Sequence, residues 1–165
     1  RPTNMTKYRA EPDTDATDPR EDWGSDGQVD LYVVRDWSSP FRIVTNAPGP
    51  TQLWERLLDY GMSLEKAVAG VQRRFPRYFI ALETVRGYSQ SDWWDVLIVA
   101  KCDESDARTE FDRFAHYLRG DVWTVEEIET EVCSLGHEHE DVVLSLSGIY
   151  ADSEEQAIDY FKETN

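Results

Sequence analysis

Three residues with metal-binding chemistry stand close together near the end of the chain: Cys133, His137 and His139, spaced C-x3-H-x-H. Zinc takes cysteine sulfur and histidine nitrogen in tetrahedral sets, and Cys102 would be a distant fourth ligand. No C-x-x-C knuckle accompanies them, and a loop can equally present two histidines that bind nothing. Around them lie seven carboxylates: Glu126, Glu127, Glu129, Glu131, Glu138, Glu140 and Asp141. Two chemistries suit such a set. A pair held at different protonation states could hydrolyse a bond with a metal or a water, although no apolar surroundings are evident that would raise one member's pKa. A row of them could instead meet a basic partner. In an extended segment Glu127, Glu129 and Glu131 fall on one face, about 7 Å apart per step. Successive phosphates of a DNA strand have a similar spacing, so the row could imitate a nucleic acid backbone. The plainest alternative is the solvated outer face of a half-buried hairpin.

Two further groups invite attention. Trp93 and Trp94, flanked by Asp92 and Asp95, could line a ligand groove or simply pack at a strand edge. Arg73, Arg74 and Arg77 could form an anion or partner spot; as favourable charges at a helix C-terminus they need no ligand. The chain contains no G-x-S-x-G, no glycine-rich phosphate loop and no H-E-x-x-H. No cofactor is implied.

The elements that position these residues can be read in order. Met5 reads as a start, with residues 1–4 set aside. Residues 1–28 form a polar stretch with Pro12, Pro19, Gly24 and Gly27, expected to be an irregular arm that Trp23 could pin down. Val29–Arg35 reads as a strand, and a short strand is expected around Phe41–Val44. Gly49-Pro50 opens a helix with Leu53, Trp54, Leu57 and Leu58 inward, and Gly61 ends it. Ser63 caps a second helix that Pro76 stops. Tyr78–Val85 is a strand. Trp93–Ala100 is an apolar run too short for a helix, hence a strand buried on both faces. Asp103 caps a helix whose stripe is Ala107, Phe111, Phe114, Ala115 and Leu118, with Gly120 just past its end. From Val122 a strand resumes. Its apolar alternation slips by one between Val125 and Ile128, which a β-bulge at Glu126-Glu127 would reconcile. Val142–Tyr150 returns as the second strand of a hairpin, and Asp152 and Ser153 cap a last helix. The strand–helix–strand run over residues 93–125 predicts a parallel pair with a right-handed crossover. The expected fold is therefore α+β. It has a mixed sheet of about five to six strands, a central β-α-β unit, a C-terminal β-hairpin and helices packed on the sheet. Residues 1–28 would be the arm and 29–165 a single domain.

The totals exclude several classes. At 165 residues the chain is long enough for a core, and 6 Trp, 8 Tyr and 6 Phe supply it. It contains no run of eighteen apolar residues and no basic start followed by an apolar stretch. Two cysteines fit a reduced intracellular setting better than a disulfide scaffold. The net charge is −16, and it is unevenly placed. Residues 1–101 carry 15 acidic and 13 basic side chains, residues 102–165 carry 18 and 4. Such a surface repels nucleic acid and attracts basic partners. Thirteen of the 17 basic residues are Arg, as in a high-GC genome or a salt-adapted host, and salt adaptation is an alternative origin for the acid.

Four patches resemble a family of small uncharacterised proteins encoded by tailed phages and prophages: YRAEPDTDATDPREDWGSDG, YSQSDWWDVLIVA, YLRGDVWTVEEIE and SGIYADSEEQAIDYF. Together they cover about half the chain. Members of that family often carry Pro-Trp-Asp-Ser-Gly before the strand, where this chain has SDWWD without the Pro and Gly. The resemblance implies no reaction and no site residues. It implies an accessory product made in the cytoplasm of an infected prokaryotic cell. The expectation is thus a non-enzymatic protein whose acidic hairpin binds a basic host protein, such as a nucleic-acid-binding defence or transcription protein. Direct nucleic-acid or membrane binding is not expected. The rival is a small metal-dependent hydrolase using the hairpin carboxylates with His137 and His139.

Overall fold

The computed structural model describes residues 3–21, 28–38, 49–88 and 91–165. The expected strand around Phe41–Val44 and the expected pin at Trp23 lie outside them. The chain divides into two compact units, residues 19–119 and residues 1–18 with 120–165. The α+β class stands. The single mixed sheet does not: each unit holds its own three-stranded antiparallel sheet, ordered β2-β4-β3 in one and β1-β5-β6 in the other.

In the larger unit β2 (Val29–Asp36) and β3 (Phe79–Arg86) flank β4 (Trp93–Ala100). β4 is buried on both faces, as its unbroken apolar run requires. Val96, Ile98 and Ala100 pack with Ala107, Phe114 and Ala115 of α3 (Glu104–Arg119). Leu97 and Val99 face the other way, toward Trp54 and Leu58 of α1 (Pro50–Asp59) and Ala67 and Val71 of α2 (Leu64–Arg74). Fully burying Trp54 or Phe114 contributes about 1.5–3 kcal/mol each before entropy is subtracted. The caps act as the sequence indicates: the Lys66 N–H donates to Ser63 Oγ at 3.3 Å and the Asp106 N–H to Asp103 Oδ1 at 2.9 Å.

In the smaller unit the stretch expected to be irregular is instead a ten-residue strand, β1 (Thr3–Pro12). It pairs with β5 (Val122–Val132) over ten unbroken partners, from Thr3↔Val132 to Pro12↔Trp123. Tyr8 and Ala10 are its only partly buried apolar side chains, so its amphipathic pattern is faint. β6 (Glu138–Tyr150) pairs along the other side of β5, giving the expected C-terminal hairpin. With β1 and β6 filling both its ladders, β5 has no edge left for β4, whose own ladders hold β2 and β3. That is why no parallel pair forms and the expected β-α-β unit is absent. α4 (Glu154–Thr164) covers one face, packing Ala157 and Phe161 on Trp123, Val125 and Ile149. At its start the Gln156 N–H donates to Ser153 Oγ at 3.1 Å, and Gln156 Oε1 reaches back one residue past the cap to accept the Asp152 N–H.

The slip in the β5 pattern has a different cause from the one expected. β5 alternates regularly, burying Trp123 and Val125 on the α4 face and Ile128 and Thr130 on the other. The register of β5 with β6 does shift between Glu127 and Ile128, but the extra residue is Val143 on β6. A second shift lies near Gly148, whose φ of 74° is the left-handed backbone that a bulge of this kind favours.

Candidate interaction face

Regular alternation in β5 decides where the seven hairpin carboxylates point. Glu127, Glu129 and Glu131 share the face on which α4 sits, and Asp141 joins them as the β6 partner of Glu129. Beside this row stand Tyr8, Thr6 and Asn4 of β1. Glu127 is half-buried, with its Oε1 3.5 Å from the Tyr8 hydroxyl, while Glu129, Glu131 and Asp141 are exposed. Glu126, Glu138 and Glu140 lie on the opposite face, at the register of Arg9, Thr3 and Met5 across β5. There the charge is partly met. Arg9 Nη2 donates to Glu126 Oε1 at 3.1 Å, and Lys7 Nζ donates to Glu140. Lys7 holds the Glu140 carboxyl below its usual range. The carboxylates therefore do not form one plate. They make an acidic row on the α4 face and a mixed, ion-paired row behind it.

The charge is nonetheless concentrated in this unit. Residues 1–18 and 120–165 carry 17 acidic and 4 basic side chains, a net of −13 on 64 residues. Residues 19–119 carry 16 and 13, a net of −3 on 101 residues. The imbalance legible along the sequence thus coincides with a structural boundary.

The candidate metal ligands are not gathered. Cys133 and His137 close the hairpin turn through backbone bonds, with the Cys133 N–H donating to the His137 carbonyl at 2.9 Å. Cys133 is half-buried, whereas His137 and His139 are exposed, and His139 stands opposite Glu131 on the ladder. Cys102 belongs to the other unit, between β4 and α3; burial and the neighbouring Asp106 and Asp103 raise its thiol pKa. Among the described residues no group of three or more Cys, His, Asp or Glu is placed to hold a metal ion.

No family model, curated protein or solved structure matches the chain.

Two features went unread in the sequence. Asp95 is buried in β4, with Arg35 of β2 and Thr84 of β3 as its ladder partners. Arg35 Nε and Nη2 donate to Asp95 Oδ2 at 2.9 and 2.7 Å, and Thr84 Oγ1 donates to Oδ1 at 2.7 Å. This is a satisfied structural carboxylate, and the Arg35 guanidinium also lies 5.5 Å from the centre of the Trp93 ring. Trp94 meets Trp37 at 5.9 Å, and the Trp37 indole donates to Asp92, so the two tryptophans and two aspartates are held by intramolecular partners. The second feature is a cavity of about 290 Å³ lined by Asp30, Tyr32, Thr51, Tyr78, Val99 and Lys101. Burial raises the pKa values of Asp30 and Tyr32, while Lys101 works in the opposite direction on Asp30. These residues come from β2, α1 and β4 and from the positions just before β3 and just after β4, and the ladder that aligns the start of β2 with the end of β4 sets Asp30 opposite Val99. Arg73 and Arg74 occupy the last turn of α2, and all three arginines of that cluster are exposed. No helix among the described residues is long and apolar enough to cross a membrane.

Proposed function

We propose that this protein is a non-enzymatic interaction protein of the phage accessory type, and that its smaller unit binds a basic host protein through the row Glu127, Glu129, Glu131 and Asp141. The observation that carries the proposal is the net charge of −13 on that unit against −3 on the rest. A field of that sign steers basic partners in and repels nucleic acid. The row adds a repeat of about 7 Å along one rigid strand. A protein surface that grips successive phosphates would meet carboxylates at a comparable interval. Competition with a nucleic acid for a host defence or transcription protein is the mode this favours.

Glu126 and Glu140, already held by Arg9 and Lys7, contribute less to such a surface. The test is affinity capture from prokaryotic lysate at low salt with the immobilised full chain, alongside the variant Glu127→Gln/Glu129→Gln/Glu131→Gln. A basic protein retained by the wild type, lost with the triple variant and displaced by duplex DNA is the expected result. Retention of no basic protein, or equal retention by both chains, overturns the proposal.

A further inference from the structure

Among the described residues the sheet of the smaller unit has two edges, β1 and β6, and the chain treats them differently. β1 carries Lys7, Arg9 and Glu11 and ends on Pro12, devices that discourage another strand from pairing there. β6 has no Lys, Arg or Pro anywhere in its 13 residues. Every residue from Glu138 to Gly148 is exposed. Four apolar side chains stand within five positions of that edge: Val142 is 51% exposed, Val143 47%, Leu144 40% and Leu146 38%. Such an edge is a template for strand addition.

We propose that a second copy of this chain docks on β6, antiparallel, to make a six-stranded sheet ordered β1-β5-β6-β6-β5-β1 across a two-fold axis. The distribution of charge along the strand selects this occupant. All three carboxylates of β6 lie in its first four residues, and none follows Asp141. The bulges at Val143 and Gly148 leave Leu144–Ser147 as the regular stretch between them. An antiparallel pairing whose two-fold axis passes beside Ser145 sets Leu144 against Leu146, both on one face, and Val143 against Ser147. It brings Asp141 opposite Ile149 and Glu140 opposite Tyr150, and carries Glu138 past the end of the partner strand. No carboxylate opposes a carboxylate, and the apolar stretch covers itself. A basic strand would satisfy only the acidic third and would set its charges against Val142–Leu146. The contact is isologous and closes at two copies. Because each copy brings a unit of net charge −13, screening salt strengthens it. That is the reverse of the salt response expected for a basic partner, so the two proposals stand or fall separately.

Sedimentation velocity of the full chain between 1 and 200 µM, at 50 and 500 mM NaCl, tests this directly. The expected result is a monomer–dimer equilibrium that tightens severalfold or more at the higher salt. Leu144→Glu, which sets like charges close to the two-fold axis, should weaken it at least tenfold while leaving the far-ultraviolet circular dichroism unchanged. Hydrogen exchange on the wild type supplies a readout that needs no variant: amides of residues 143–148 should gain protection as concentration rises. A monomer throughout overturns the proposal. So does a dimer indifferent to Leu144→Glu and without added protection in β6, or an open-ended series of larger species.

Discussion

Glu129 and Asp141 stand directly opposite each other on β5 and β6, two exposed carboxylates paired across one rung of an antiparallel ladder. Like charges in that relation are destabilising by up to about 1 kcal/mol. Glu129→Gln should therefore stabilise the fold at low ionic strength, and Asp141→Asn should do the same. The gain should shrink in 0.5 M NaCl, where screening shortens the reach of both charges. Denaturant midpoints of the two variants at two salt concentrations check this. If either variant proves less stable than the wild type, the pair is not the liability its register implies.

The division of the hairpin carboxylates between two faces gives a second expectation. Replacing Glu127, Glu129 and Glu131 by Gln should lower the affinity for a basic protein partner about tenfold or more at 50 mM salt, chiefly through slower association. Glu126→Gln with Glu140→Gln removes two charges from the opposite face, where Arg9 and Lys7 already meet them, and should change affinity by less than about threefold. Surface plasmon resonance with the captured partner compares the two sets. Equal effects would mean that net charge, and not the row, governs recognition.

Much of this arrangement was legible in the chain, and the illegible parts share a cause. β4 could be bounded at Trp93 and Ala100 because a strand covered on both faces leaves a continuous apolar run. The helix starts at Ser63, Asp103 and Ser153 were legible because a cap is a local hydrogen bond between residues three apart. Strand partnership is not local. β1 buries only parts of Tyr8 and Ala10, so nothing in its own pattern announces that it lies against β5, more than a hundred residues away. Once β1 is in place, β4 and β5 cannot be neighbours, and the expectation of a crossover pair fails for that one reason. The Glu127–Glu129–Glu131 face followed from alternation alone. The ion pairs behind it did not, because they depend on Lys7 and Arg9 arriving with β1. The Asp95 site was hidden for the same reason: its partners Arg35 and Thr84 come from two different strands.

That buried carboxylate makes a third expectation. The Asp95 side chain is 6% exposed and the Arg35 side chain 39%, so Arg35 shields a charge that has little other access to water. Arg35→Ala leaves Asp95 with Thr84 alone and should cost about 2–4 kcal/mol, below the full range for a wholly buried pair. Arg35→Lys restores the charge without the forked guanidinium and should recover only part of that loss. Thr84→Val should cost about 1.5 kcal/mol, the low end for a hydrogen bond to a charged acceptor, because the main partner survives. Urea denaturation of the three variants orders them. A loss for Arg35→Ala no larger than for Thr84→Val would show that the ion pair contributes little to holding β2 on β4.

Asp121, the residue just before β5, provides the pH dependence. The residue is buried, and burial, reinforced by the nearby Asp152, raises its pKa to about 6. Its ordinary value is about 3.9, so the folded protein holds this proton more tightly than the unfolded chain does. The sign follows from linkage. Above pH 6 the carboxyl is charged in both states, and the folded state carries the full penalty of about 2–3 kcal/mol. As pH falls through 6 toward 4 the folded state takes up the proton first and the penalty disappears. Asp121→Asn mimics the protonated form. It should stabilise the protein at pH 7–8 by up to that amount, with the difference from wild type closing by about pH 4. Taking the difference between the two chains removes the opposing trend from groups such as Glu140, whose pKa is lowered by Lys7 and whose stabilisation is lost in acid. Denaturant unfolding of both chains at five pH values from 4 to 8 measures the curve. A constant difference across that range would mean that the carboxyl does not titrate between its folded and unfolded values. A less stable variant at pH 8 would mean that the charged Asp121 is favoured where it sits.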